Sequence, residues 1–90
     1  MLTLTEKIQN EFIGSRRVCV RDLEERLTQI VGHKASCYDS KIDDGVDEDE
    51  TEDQYVMADC FDFEGIPLIV RIYYGDVTQE IGYVDVAEEG

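Results

Sequence analysis

The nine residues IPLIVRIYY, 66–74, constrain the fold of this chain more than any other stretch. Successive side chains of an extended strand point to opposite faces. Ile66, Leu68, Val70, Ile72 and Tyr74 therefore share one face, and Pro67, Ile69, Arg71 and Tyr73 share the other. One face is wholly apolar and aromatic. The other mixes apolar residues with a single cation and a tyrosine. Such a strand needs neighbours on both sides and a covering layer over its apolar face. Pro67 sits near the strand start, where a missing N–H donor is tolerated.

The flanking residues supply the neighbours. Glu64–Gly65 reads as a two-residue turn into a preceding strand candidate, QYVMADCFDF (54–63). GDVT (75–78) reads as a turn into a last strand, EIGYVDVA (80–87). KASCYDSKI (34–42) is a further strand candidate. Upstream, two helices are expected. Thr3 and Glu6 have capping-box spacing, Leu4, Ile8 and Phe12 or Ile13 recur at helical spacing, and Gly14 is a stop; this predicts a helix over 4–13. Asp22 to Glu25 offers a second capping pattern. Leu23, Leu27, Ile30 and Val31 form a stripe ended by Gly32, which predicts a helix over 22–31. RRVCV (16–20) reads as a brief extended link. The expectation is one α+β domain, with two N-terminal helices packed on one face of a three- to four-stranded antiparallel meander.

Charge is the second constraint. The chain of 90 residues carries 22 acids against 8 bases, a net of −14. Residues 1–41 hold Lys7, Arg16, Arg17, Arg21, Arg26, Lys34 and Lys41 against six acids, a net of +1. Residues 42–90 hold sixteen acids and one base, Arg71, a net of −15. Eight of those acids, Asp43, Asp44, Asp47, Glu48, Asp49, Glu50, Glu52 and Asp53, fall in a segment expected to be a loop between the first and second strands. Asp59, Asp62, Glu64, Asp76, Glu80, Asp85, Glu88 and Glu89 extend the acidity onto the sheet and its turns. This field repels DNA, RNA and anionic lipid and attracts basic protein surfaces.

Enzyme chemistry finds little footing, and no catalytic residue, cofactor or metal is expected. The one histidine, His33, lies four residues before Cys37 and reads as a surface residue at a helix exit. A nucleophile needs a base and an orienting third group around it. His33, Cys19, Cys37 and Cys60 are four potential zinc ligands, but none has C-x-x-C spacing. The EF-hand pattern fails, because Ile42, Ser40 and Thr51 stand where ligands are required. Carboxylates on a solvated run do not hold two separated pKa values as a glycosidase pair does. The glycines form no phosphate-cradling motif. Three cysteines at wide spacing do not make a disulfide framework and are expected to be reduced and mostly buried.

No apolar run reaches about 18 residues, the length of a membrane span. MLTLTEKIQNEF lacks the charged-then-apolar order of a signal peptide. The expected location is the cytoplasm of a bacterial host.

The helix at 4–13, the short VCV and RDLEERL resemble the opening elements of a winged-helix domain, which implies a DNA-reading helix next. A strand candidate and the acid run follow instead, and the charge opposes DNA. In size, acidity and α+β plan the chain also resembles the small acidic inhibitors of phages and mobile elements, of the anti-CRISPR and anti-restriction type, although no motif marks a particular member. That resemblance implies a stoichiometric blocker seated in the basic nucleic-acid-binding groove of a CRISPR effector or other nuclease. Charge density permits it. An extended chain rises about 3.3 Å per residue, so the eight carboxylates average one per ~4–5 Å, against a phosphate every ~3.4 Å along one strand of a duplex. The expected partner-binding residues are those eight with Asp62, Glu64, Asp76 and Tyr73. Tyr73 is included because tyrosine brings contact area and a polar tip at low entropy cost. Arg71 is expected to pair across strands with Asp59, Asp62 or Asp85. A basic toxin capped by an immunity protein or antitoxin, and a merely soluble acidic domain, are the alternative readings.

Overall fold

A computed structural model describes residues 2–42, 57–75 and 78–88, the side chains of 41 and 42 excepted. Thr3 caps the first helix, α1 (Leu4–Phe12). Its Oγ1 accepts from the Glu6 N–H at 3.1 Å, and the Glu6 carboxylate accepts from the Thr3 N–H at 3.1 Å. Two orphan donors of the first turn are thereby satisfied. Ile8 and Phe12, one helical turn apart, are fully buried. The second helix, α2 (Val20–Val31), starts two residues earlier than its acidic capping pattern predicts. Cys19 is the N-cap, and its Sγ accepts from the Asp22 N–H at 3.4 Å. Asp22 falls inside the first turn, where a carboxylate still favours the positive helix end. Leu23 and Leu27 are fully buried. Gly32 ends α2 at φ +83°, a left-handed conformation that a side chain would strain, and its N–H donates to the Thr28 carbonyl at 2.9 Å.

Four strands follow, β1 (Ala35–Ile42), β2 (Met57–Phe63), β3 (Ile66–Tyr74) and β4 (Ile81–Glu88). They form one antiparallel sheet in the order β1-β2-β3-β4, the expected meander. The acid run 43–53 lies between β1 and β2 in the chain and outside the described residues, as do positions 54–56 of the second strand candidate and Asp76. The alternation read from 66–74 holds: Leu68, Val70, Ile72 and Tyr74 are buried. They form one core with Phe61, Phe63, Ile81, Val84 and the buried faces of both helices. α1 packs on β4 and α2 on β1, which places both helices on one side of the sheet.

The link between the helices is extended, as expected, and lies along the start of β4. Gly14 N–H donates to the Ile81 carbonyl, Ile81 N–H to the Ser15 carbonyl and Arg17 N–H to the Gln79 carbonyl, at 2.8–2.9 Å. Arg26 joins the two helices. Its guanidinium lies 4.6 Å from the centroid of the Phe12 ring and 2.8 Å from the Glu11 carboxylate.

Both sheet edges are partly closed by side chains from the helix layer. On β1, the Ala35 N–H donates to Thr28 Oγ1 at 3.0 Å and the Cys37 N–H donates to the Glu24 carboxylate at 2.7 Å. On β4, the Val84 carbonyl accepts from Gln9 Nε2 at 3.3 Å. Free edge groups are a template for pairing with another chain, so these contacts restrict strand addition.

Candidate partner-binding face

Register determines which residues share the sheet face opposite the helices. Tyr73 stands between Ala58 and Tyr83, Arg71 between Cys60 and Asp85, and Ile69 between Asp62 and Ala87. On β1, Asp39 pairs with Cys60 and Ser36 with Asp62. Among the described elements no helix covers this face. It presents three rows about 7 Å apart.

The first row runs Lys41, Ala58, Tyr73, Tyr83 and is aromatic on β3 and β4. The Tyr73 and Tyr83 rings lie 5.4 Å apart, centroid to centroid, and are tilted by 47°. Tyr83 is half exposed, at 50%, and Tyr73 is partly buried. The second row holds the ion pair Arg71–Asp85 at 3.6 Å. Of the three partners the sequence offered to Arg71, register selects Asp85. Burial works against the Arg71 charge, but Tyr73 and Asp85 outweigh it and hold the guanidinium above its ordinary value. Both members are about one-third exposed, so the pair is worth at most about 1 kcal/mol. The third row carries exposed Asp62, ~14 Å from the tyrosines by strand rise.

Of the residues expected to bind a partner, Tyr73 and Asp62 share this face. Glu64 is exposed in the turn that joins β2 to β3. Asp43, Asp44, Asp47, Glu48, Asp49, Glu50, Glu52, Asp53 and Asp76 lie outside the described residues. Tyr74, on the apolar face of β3, is buried.

The helices and the segments that flank them expose both signs, Lys7, Arg16, Arg21 and Lys34 beside Glu6, Glu11 and Glu25. The exposed charges of the sheet and its turns, among the described side chains, are Asp39, Asp62, Glu64, Glu80 and Glu88.

Asp59 departs from the surface role that its place among the acids implied. It is completely buried, on the helix side of β2. Its Oδ2 accepts from Arg17 Nε at 2.7 Å and its Oδ1 from Ser40 Oγ at 2.7 Å. The Arg17 guanidinium also lies 4.6 Å from the centroid of the Tyr74 ring. Burial alone would lower the Arg17 pKa; the hydrogen bond and charge of Asp59 outweigh it and raise the pKa above the usual value. The cluster joins the interhelical link to β1, β2 and β3. One signal for it lay in the sequence. Asp59 alternates with Met57, Phe61 and Phe63 and so occupies an apolar-face position of β2. A carboxylate in such a place needs a buried partner.

The three cysteines are thiols outside any disulfide, but only Cys60 is buried. Cys37 is half-buried and Cys19 exposed, which corrects the expectation of mostly buried thiols. The cause for Cys19 is its place at the mouth of α2. His33 is exposed and its Nδ1 lies 3.0 Å from the Glu64 carbonyl. A carbonyl only accepts, so Nδ1 carries the proton there. Cys37 Sγ instead meets the Asp39 carbonyl at 3.4 Å and Ser40 Oγ at 3.6 Å. Among the described residues no group of three or more His, Cys, Asp or Glu side chains is arranged to hold a metal ion, and no helix is long and apolar enough to cross a membrane.

Comparisons with protein-family models, with curated proteins and with solved structures find no match to this chain.

Proposed function

We propose that the chain is an acidic protein-binding inhibitor that occupies the basic nucleic-acid-binding groove of a CRISPR effector or other nuclease by charge mimicry. The observation that carries this reading is the −15 net charge of residues 42–90 beside the near-neutral first part. A uniform acidic surface would serve solubility equally well. Gathering like charge on one part of a fold raises its self-repulsion, which a cationic partner relieves. The helix layer exposes both signs, but the exposed charges of the sheet and its turns are all acidic among the described side chains, which supports the same reading. Carboxylates spaced ~4–5 Å apart along an extended segment approximate the phosphate spacing of a strand, and a basic channel does not separate the two by charge alone.

The test is inhibition of purified basic nucleases, CRISPR effectors among them, titrated at several salt concentrations. Saturation at one inhibitor per enzyme, with affinity falling steeply as salt rises, is expected. Reversing charge at Asp47, Asp49 and Glu50 to lysine is expected to abolish inhibition. Full inhibition by that triple variant refutes the mimicry.

A further inference from the structure

We propose that the outer edge of β4, over Val84–Glu88, is a strand-addition site. It takes an antiparallel extended segment of a partner protein, apolar on the side of α1 and basic on the other. The inference rests on the acidic-binder reading only for the sign of the partner's charge.

Hydrogen-bond phase defines the open groups. Alternate residues of an antiparallel strand turn both N–H and C=O toward one neighbour, and the residues between turn them away. Gln9 Nε2 reaches the Val84 carbonyl from the side of α1 at 3.3 Å, so Val84, Val86 and Glu88 direct their backbone groups away from β3. The opposite edge gives the same phase. Ala35 and Cys37 point their N–H groups outward to Thr28 and Glu24, and carrying the alternation across β2 and β3 again turns Val84 and Val86 outward. On β1 those two donors are taken, and at the start of β4 the 14–17 link holds Ile81. Among the described residues nothing takes the Val84 N–H or the backbone groups of Val86. The opening is confined to the last half of β4, where β-augmentation needs it.

An apolar floor lies beneath this opening. Gly14 meets Ile81 and Gln9 meets Val84, so α1 runs antiparallel to β4. From Gln9 back to Leu4 is ~7–8 Å of helix, and from Val84 to Val86 is ~7 Å of strand. Leu4 is therefore level with Val86, and Leu2 lies beyond it. Leu4 is 38% and Leu2 45% exposed. Val84 is fully buried, whereas Val86 is only partly so. The cover of the core thins where the edge opens, and an apolar side chain entering opposite Val86 completes it. Charge selects the rest of the occupant. Arg71 already engages Asp85, so the attraction comes from exposed Glu88 and from the net charge of −14. A second copy carries the same charge and is repelled. Nucleic acid and anionic lipid are repelled too, and neither supplies a peptide backbone to pair with the edge.

The test titrates the full chain, isotope-labelled for amide NMR, with a capped seven-residue peptide of alternating lysine and valine, lysine at both ends. Amide shifts are expected at Val84, Val86 and Glu88. In antiparallel addition the valines, on the side of α1, turn their N–H and C=O toward β4. N-methylation of the valines is expected to weaken binding roughly ten-fold or more, and N-methylation of the interior lysines to leave it unchanged. A counterpart with glutamate for lysine is expected not to bind. Val86→Pro removes an outward N–H and spares the ladder to β3, so it should weaken binding as valine methylation does. Circular dichroism reports the fold of that variant, and the methylated peptides decide the matter on the native chain if it unfolds. Equal affinity for the two methylated peptides, the reverse order, equal binding of the glutamate peptide, no binding at all, or shifts that spare β4 each overturn the proposal. A native dimer in sedimentation equilibrium that Val86→Pro dissociates assigns the edge to a second copy and also overturns it. Any of these results alongside intact nuclease inhibition leaves the acidic-binder reading standing, whereas loss of inhibition with the methylation pattern intact overturns that reading and not the edge.

Discussion

Arg17→Met should be among the most damaging single substitutions in the protein. Asp59 has no exposed surface, and its two described hydrogen-bond donors are Arg17 Nε and Ser40 Oγ, each at 2.7 Å. Removing the arginine leaves a buried carboxylate with one neutral donor. Breaking a buried pair in this way costs about 3–5 kcal/mol. The Arg17 side chain is 20% exposed, so water can reach part of the vacated space, and the lower figure of about 3 kcal/mol applies. For a domain of this size that is a fall in Tm of about 15 °C. Asp59→Leu should cost less, about 1–2 kcal/mol, because Arg17 can turn its charge to solvent. The double variant Arg17→Met/Asp59→Leu leaves neither charge and should lie within about 1 kcal/mol of the native protein. Urea unfolding followed by far-ultraviolet circular dichroism measures all three. The reasoning is refuted if the single losses simply add, or if Arg17→Met costs under about 0.5 kcal/mol. The pH dependence follows from the sign of the shift. A raised arginine pKa contributes stability that is fully present below the unfolded-state value and is lost only as pH rises through the folded value, which lies above the ordinary arginine range. The stability gap between native protein and Arg17→Met should therefore stay flat from pH 7 to pH 10.

Two further outcomes follow from the described contacts. Glu24→Ala/Thr28→Ala frees the Ala35 and Cys37 N–H groups at the β1 edge; it should cost about 1–3 kcal/mol and make the protein self-associate, seen as concentration-dependent sedimentation absent from the native chain. In native buffer a thiol reagent should label Cys19 first, Cys37 more slowly and Cys60 only on unfolding. Mass spectrometry of partly labelled protein reads the order, and early modification of Cys60 contradicts its burial.

Much of the fold was legible because local rules and global packing agree. The capping box at Thr3 and Glu6, the Ile8 and Phe12 spacing and the left-handed stop at Gly32 depend on residues within one or two turns. The alternation of 66–74 depends on strand geometry alone, and its boundaries match the observed strand. The start of α2 was misplaced because Asp22 is the stronger capping residue by type, whereas the chain enters the helix from a link held by backbone bonds to Gln79 and Ile81, leaving Cys19 at the cap. The candidate face was half legible. Alternation placed Tyr73 and Arg71 together, but strand register was needed to bring Tyr83 and Asp85 across from β4.

The chain order therefore determines the helices, the central strand, the meander and the unequal distribution of charge, since each follows from residue type and short-range spacing. Tertiary structure decided which acid is interior and which arginine faces it. Arg17 and Asp59 are 42 positions apart, and no local periodicity relates an interhelical link to the middle of a strand. Their contact arises only when the helix layer closes over the sheet. Removal from water then makes one carboxylate depend on one guanidinium, while its neighbours Asp62 and Glu64 remain hydrated.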